Sequence, residues 1–198
     1  MDDVARGDDS VKRRPCRRAV LKSGLTLAVG LSLAQRPVLG QGDAKALRPQ
    51  EGDVLVKDGD ASLKPLMPVD IPVSALPIMA WAMDPLSKVV RSGSRLNIIL
   101  LMRFDAQRFS PATQSLSAGG VVAYSALCPH AGCDVTDWIA DRGLLSCDCH
   151  SAMFDPRDGA RVVDGPSPRP LPALPLTLVD GTLAVAQPFT AAIRFEEQ

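Results

Sequence analysis

Two short segments hold almost all of the cysteine and histidine side chains of this 198-residue chain. Residues 128–133 read Cys-Pro-His-Ala-Gly-Cys (the first box), and residues 147–150 read Cys-Asp-Cys-His (the second box). The chain has two histidines and five cysteines, and the boxes contain both histidines and four of the cysteines. Packing alone does not account for this concentration. A metal centre with thiolate and imidazole ligands does, and it requires a fold that brings two loops together.

The two boxes resemble those of the Rieske iron–sulfur proteins, which read C-x-H-x-G-C and C-x-C-H. In a Rieske [2Fe–2S] centre, two cysteines hold one iron and two histidines hold the other. The resemblance therefore implies Cys128 and Cys147 as thiolate ligands, and His130 and His150 as imidazole ligands. It implies one [2Fe–2S] cluster per chain.

The second cysteine of each box has a separate role in this resemblance. Rieske proteins of the high-potential branch carry one extra cysteine per box, and the pair forms a disulfide that clamps the two loops. This implies a bridge between Cys133 and Cys149. The branch includes the Rieske subunits of cytochrome bc complexes and the small subunit of arsenite oxidase.

Other centres fit the two boxes less completely. Two cysteines and two histidines could form a structural zinc site, which would make the chain a zinc-stabilised binding module with two unpaired thiols. A c-type haem requires C-x-x-C-H, and the second box is one residue too short for it. The zinc module stays open as the non-redox alternative.

A proline-rich segment follows the second box. Residues 165–170 read Gly-Pro-Ser-Pro-Arg-Pro, and the fixed φ angles of proline stiffen such a loop. Rieske proteins carry a cluster-shielding loop at this place, so the resemblance implies that Gly165, Pro166 and Pro168 shield the cluster. An ordinary proline-rich turn is the alternative.

Four positions depart from the quinol-oxidising Rieske subunits of cytochrome bc complexes. Those subunits have a leucine at the position of Ala131 and a proline at that of Asp148. They place hydroxyl donors at the positions of Ala152 and Phe154, which cannot donate hydrogen bonds. Fewer hydrogen bonds to the cluster sulfurs, and a nearby carboxylate, lower the reduction potential. We therefore expect a potential below the upper end of the Rieske range, roughly −150 to +300 mV.

The first 40 residues differ in charge from the rest of the chain. They carry 8 Lys and Arg against 4 Asp and Glu, whereas the remainder carries 14 against 18. Residues 17–22 read Arg-Arg-Ala-Val-Leu-Lys, which resembles the twin-arginine export signal, and a weakly apolar run follows. We expect residues 1–40 to direct export of the folded protein to the periplasm, where a disulfide persists. The apolar run is short for a membrane anchor. Residues 18–39 are the only expected means of anchoring, and they would serve only if they stayed uncleaved.

The rest of the chain predicts an all-β fold. Residues 41–60 are polar and indicate a linker, and residues 61–198 form the expected Rieske domain. Residues 97–102 predict a strand buried on both faces, and residues 174–186 predict a hairpin that turns at Asp180-Gly181. One helix is predicted from the N-cap Ser110 to Ser117. The resemblance implies an antiparallel β sandwich or barrel with a cluster-binding subdomain of two loops at one tip.

One-electron transfer is the function that the resemblance implies. The chain is expected to be a periplasmic subunit or partner of an oxidoreductase and not a stand-alone enzyme. The departures favour the small subunit of a molybdoenzyme of the arsenite oxidase kind, and the Rieske subunit of a quinol–cytochrome c reductase is the alternative. The expected partner is a redox protein: a molybdoenzyme large subunit, a cytochrome c or a quinol-oxidising complex. The negative balance after residue 40 argues against nucleic-acid binding.

Overall fold

Short antiparallel strands dominate the computed structural model, which describes residues 41–195; the predicted signal segment, residues 1–40, lies outside this part. The strands are β1 (Val54–Lys57), β2 (Ile78–Met83), β3 (Ile99–Arg103), β4 (Val121–Ser125), β5 (Asp137–Ile139), β6 (Leu144–Cys147), β7 (Ala152–Asp155), β8 (Arg161–Asp164), β9 (Leu176–Val179) and β10 (Thr182–Val185). The helices are α1 (Gln41–Ala46) and α2 (Pro111–Leu116), with 3₁₀ turns at Pro68–Asp70, Arg95–Asn97 and Ala106–Arg108. The predicted all-β class is confirmed.

The strands form two antiparallel sheets. The larger sheet has six strands in the order β4-β3-β2-β1-β10-β9, and the smaller has four in the order β5-β6-β7-β8. The first box follows β4 at the edge of the larger sheet, whereas the second box begins at the end of β6 in the smaller sheet. Each sheet therefore delivers one of the two boxes.

Strand β3 packs against a separate core on each of its faces, as predicted, but it begins at Ile99 and not at residue 97, because residues 95–97 form a 3₁₀ turn. Leu100 and Met102 belong to one buried cluster with apolar side chains of β6 and β7, including Leu145 and Phe154. The alternate residues of β3 pack inside the curled larger sheet, with the side chains of β1, β9 and β10. Since successive side chains of a strand point to opposite faces, a continuously apolar strand joins both cores.

Two local predictions are confirmed. Helix α2 follows the N-cap Ser110, whose hydroxyl accepts a hydrogen bond from the Thr113 backbone N–H, and it has Pro111 at its first position. Strands β9 and β10 form a hairpin around Asp180 and Gly181. Both residues have positive φ angles, +50° and +78°, as a two-residue turn between twisted strands requires.

The predicted linker, residues 41–60, overlaps the larger sheet. Strand β1 lies between β2 and β10, with Val54, Leu55 and Val56 buried. These residues form a β-branched and apolar run that fills the centre of the sheet, so the polar residues around it do not decide its structure. Within residues 41–195, the structure has no helix with the length and apolarity needed to cross a bilayer.

Candidate metal centre

The first box forms a tight turn that closes on itself. The Cys128 N–H donates to the Cys133 carbonyl at 2.8 Å, and the Gly132 N–H donates to the Cys128 carbonyl at 2.9 Å. Gly132 has a φ of +73°, which glycine adopts without steric cost. Leu127 and Asp134 form a β-bridge at the base of the turn. The box is thus a rigid loop that projects His130 from its middle.

The second box is the turn of a β-hairpin. Cys147 ends β6 and pairs with Ala152, which begins β7, so the residues between them form the connecting turn. Ser151 has a φ of +56° in this turn. The arrangement leaves Cys147 in the core and carries Asp148, Cys149 and His150 to the surface.

The two predicted thiolate ligands lie buried beside each other. Cys128 is 2% exposed and Cys147 is 1% exposed. Burial raises the pKa of the Cys147 thiol to about 11; the backbone N–H of Cys149 opposes this shift, and the neighbouring Cys128 adds to it. A thiol of this kind becomes a thiolate when a bound metal displaces its proton, so metal binding is coupled to proton release.

The two histidines face each other outside the thiols. His130 is half-buried and His150 is exposed. Their Nδ1 atoms lie 3.1 Å apart, and the ring centroids are 4.5 Å apart with the planes at 88°. The boxes thus bring two imidazole nitrogens together at the surface.

The predicted disulfide is confirmed. Cys133 and Cys149 are bonded to each other, with 6.4 Å between their Cα atoms. The Cys147 sulfur lies within 4.8 Å of both bridged sulfurs, so the disulfide is adjacent to a predicted ligand. Because two of these three sulfurs are bonded to each other, this group is not a three-thiolate metal site. The bridge fastens one box to the other next to the free thiols.

The donor set fits a centre with two thiolates and two imidazoles. The disulfide removes two cysteines and leaves Cys128, Cys147, His130 and His150 as donors. The same four donors would also satisfy a tetrahedral zinc ion. The structure thus brings the two predicted thiolate ligands together and the two predicted imidazole ligands together, and the choice of metal rests on the relatives described below.

The proline-rich loop lies against the second box. Gly165 has a φ of +86°, and a Cβ at this position would lie 2.6 Å from the Ala152 Cα and 2.8 Å from the Ser151 carbonyl oxygen. Only glycine at position 165 allows the loop to come this close to the second box. Further along the loop, Ser167 is buried, and its hydroxyl donates to the Arg169 carbonyl at 3.0 Å. The loop therefore packs against the second box through Gly165, and the shielding role of Gly165, Pro166 and Pro168 stays a prediction.

Several contacts around the boxes had no signal in the sequence. Arg95 donates to the Gly132 carbonyl at 3.3 Å and to the Asp134 carboxylate at 2.9 Å. A hydrogen bond with the Asp137 carboxyl group raises the pKa of Asp148. These partners lie 11 to 39 residues apart in sequence, and no local pattern relates such distant polar residues.

The comparisons with known proteins identify the domain. Residues 99–175 match the model of the Rieske [2Fe-2S] domain. The putative Rieske subunit of a respiratory nitrate reductase from Haloferax mediterranei is 45% identical over 80 residues, which are 40% of this chain and 36% of that protein. The Rieske iron-sulfur subunit of the cytochrome bc1 complex from Streptomyces lividans is 29% identical over 119 residues, which are 59% of this chain and 70% of that protein.

Among solved structures, the plasma membrane Rieske protein PetC3 from Synechocystis PCC 6803 aligns with a TM-score of 0.36 and 21% identity, over 55% of this chain and 84% of that one. The matched family region contains β3 to β8 and both boxes, and so includes all six of their cysteine and histidine residues. The chain spans about a third of the nitrate reductase subunit. Residues 99–175 therefore form a Rieske [2Fe–2S] domain, whose cofactor is a [2Fe–2S] cluster.

Proposed function

We propose that Cys128 and Cys147 bind one iron of the cluster, and that His130 and His150 bind the other. Two buried thiols beside each other, with two imidazole nitrogens 3.1 Å apart outside them, support this assignment. The cluster supplies a couple that gains and loses one electron. The protein holds the thiolates away from water and leaves the histidines at the surface.

The exposure of His150 is the observation that carries the proposal of electron transfer to a protein partner. Both thiols are buried, whereas His150 is exposed and His130 is half-buried. A partner's redox centre therefore approaches the metal site most closely from the histidine side. With Nδ1 of each ring directed at the other ring, the Nε2 atoms are the ring nitrogens left to face solvent or a partner.

For the type of complex, we infer the electron-transfer subunit of an oxidoreductase similar to the arsenite oxidase small subunit. Ala131 in the first box, and Ala152 and Phe154 after the second, separate this chain from the quinol-oxidising pattern. The relative from Haloferax is named as a subunit of a respiratory nitrate reductase, which is also a redox complex. The Rieske subunit of a quinol–cytochrome c reductase is the second candidate, and the Streptomyces relative favours it.

We further propose that the protein acts outside the cytoplasm. The disulfide between Cys133 and Cys149 supports an oxidising compartment, since such bonds are rare in cytoplasmic proteins. The proposed twin-arginine signal in residues 1–40 would export the protein with its cluster already inserted. The domain would then begin near β1, since that strand belongs to the larger sheet.

Purification of the native protein from its host tests these proposals. An electron paramagnetic resonance spectrum of a reduced Rieske centre, together with a large catalytic subunit that co-purifies and can be identified by mass spectrometry, is the expected result. Co-purification with a cytochrome b, and oxidation of an added quinol, would instead establish the reductase alternative. A colourless protein that contains zinc would refute electron transfer.

We predict that Ala152→Ser together with Phe154→Tyr raises the reduction potential. Both positions are fully buried after the second box, and the variant adds two hydroxyl donors. A net hydrogen-bond energy of about 1 kcal/mol corresponds to roughly 40 mV for one electron. A redox titration followed by circular dichroism should show the increase. A native potential already near the upper end of the Rieske range would contradict the prediction for these positions.

We predict that Cys133→Ser permits cluster assembly but shortens the lifetime of the cluster. The bridge closes a loop with a sequence separation of 16, and its loss should destabilise the joined boxes by about 3 kcal/mol. The decay of visible absorbance on warming measures the lifetime. The double variant Cys133→Ser/Cys149→Ser is the control, because it removes the bridge without leaving a free thiol beside Cys147. Unchanged lifetimes in both variants would refute the clamping role.

A further inference from the structure

The segment that follows β10, residues 187–195, connects the larger sheet to the first box. The Thr190 N–H donates to the Ala173 carbonyl at 2.8 Å, and the Thr190 hydroxyl accepts from the Ala173 N–H at 3.0 Å. Ile193 is 9% exposed and anchors the segment three residues further on. The path of the segment is therefore determined at two points before it reaches Phe195.

The ring of Phe195 lies over Gly132 of the first box. A Cβ on Gly132 would lie 3.2 Å from each of three ring atoms of Phe195. Gly132 directly precedes the disulfide residue Cys133 and follows the ligand His130 by two positions. Phe195 is 37% exposed, so the greater part of its surface is covered by the rest of the protein. The contact joins the segment 187–195 to the loop that carries both the proposed ligand His130 and the disulfide residue Cys133.

The proline-rich loop holds the end of the segment in place. Arg169 donates from Nη2 to the Arg194 carbonyl at 3.2 Å. Arg95 donates separately to the Gly132 carbonyl, at 3.3 Å. Arg95 thus holds the backbone of the first box, and the ring of Phe195 lies over it. The residue before Phe195, Arg194, is hydrogen-bonded to the proline-rich loop through Arg169.

We propose that Phe195 is a positioning residue of the metal centre, which keeps the first box closed and protects the Cys133–Cys149 disulfide from reductants. Access to the sulfur atoms controls the rate of thiol–disulfide exchange. The ring covers the glycine beside Cys133, and opening of the loop requires that this contact be lost. The inference deepens the proposed function, since the same loop carries His130, but the chemistry of the disulfide does not depend on the electron partner.

The rate of disulfide reduction in the full-length holoprotein tests this inference. Dithiothreitol donates two electrons and two protons to the disulfide, giving two thiols, and is itself oxidised to its cyclic disulfide. The new thiols are counted by alkylation and mass spectrometry. We expect Phe195→Ala to be reduced about five-fold faster than the native protein, the ratio expected when a partly buried aromatic contact is lost. In Phe195→Tyr, which keeps the ring, the disulfide should be reduced at the native rate.

A second exposed apolar residue supplies the matched control. Leu178 on β9 is 44% exposed, close to the exposure of Phe195, and Leu178→Ala should leave the reduction rate unchanged. Arg169→Met removes the donor to Arg194 and should give part of the increase in the reduction rate.

The free energy of unfolding, measured in urea, separates local opening from global loss of stability. Equal rates for Phe195→Ala and Leu178→Ala, or an increase fully explained by a lower unfolding free energy, would overturn the inference. Failure of the ligand assignment would instead appear as a native iron content in the variant His150→Ala, and it would leave these reduction rates unchanged.

Discussion

The variant His150→Ala should fold but contain almost no iron, and it should lack the electron paramagnetic resonance signal of the reduced native protein. His150 is exposed on a hairpin turn, so its loss removes little packing. Both histidines of the chain lie in the boxes, so no third imidazole can replace it. When one iron lacks a protein ligand, the protein no longer holds the cluster, and the cluster is lost to solvent. Iron analysis and circular dichroism together measure the cluster and the fold.

The change Asp148→Asn is the matched control for this experiment. Asp148 lies two residues before His150, is also exposed and belongs to the same turn, but it is not a proposed ligand. This variant should retain two irons per chain, as the [2Fe–2S] formula requires. Native iron content and an unchanged spectrum in His150→Ala would refute the ligand assignment.

The parts of the fold with a local pattern could be predicted from the sequence. The turn residues Asp180 and Gly181 adopt the positive φ angles of a tight hairpin, and Pro111 begins a helix, because each depends only on its immediate neighbours. The two boxes also carry a local signal, because their spacing is characteristic of a family. The disulfide followed from the same resemblance and is present in the structure.

The parts that depend on distant contacts could not be predicted. The polar residues around β1 predict a linker, yet the pairing of this strand with β2 and β10 buries it. The contact between Phe195 and Gly132 joins residues that no short motif relates. The same applies to Arg91 and Asp53, which are separated by 38 positions. Such contacts form only once the sheets have brought the segments together.

The ion pair between Arg91 and Asp53 is expected to contribute strongly to stability. Two guanidinium nitrogens of Arg91 donate to the two Asp53 oxygens at 2.7 and 2.9 Å, and their side chains are only 7% and 3% exposed. The hydrogen bond with Asp53 raises the pKa of Arg91. Arg91 also donates to the Ala44 carbonyl, and its own carbonyl accepts from Asn97. The pair therefore joins the segment before β1 to the loop that carries Arg95.

We predict that Arg91→Met lowers the free energy of unfolding by about 3–5 kcal/mol, because it leaves a buried carboxylate without its cation. Urea denaturation of the holoprotein measures this change. Arg161→Met is the matched control, since Arg161 and Asp158 also lie 2.7 Å apart but are 56% and 48% exposed. Exposed pairs contribute about 0–1 kcal/mol, so the control should be nearly neutral.

The double variant Arg91→Met/Asp53→Leu distinguishes the cost of the unpaired charge from the value of the pair itself. Removing both charges leaves no buried ion to desolvate, so we expect this variant to be more stable than Arg91→Met alone. A loss of stability equal to the sum of the two single changes would show that the residues act independently. In that case the destabilisation would come from lost hydrogen bonds to Ala44 and Gln50, whose N–H donates to Asp53.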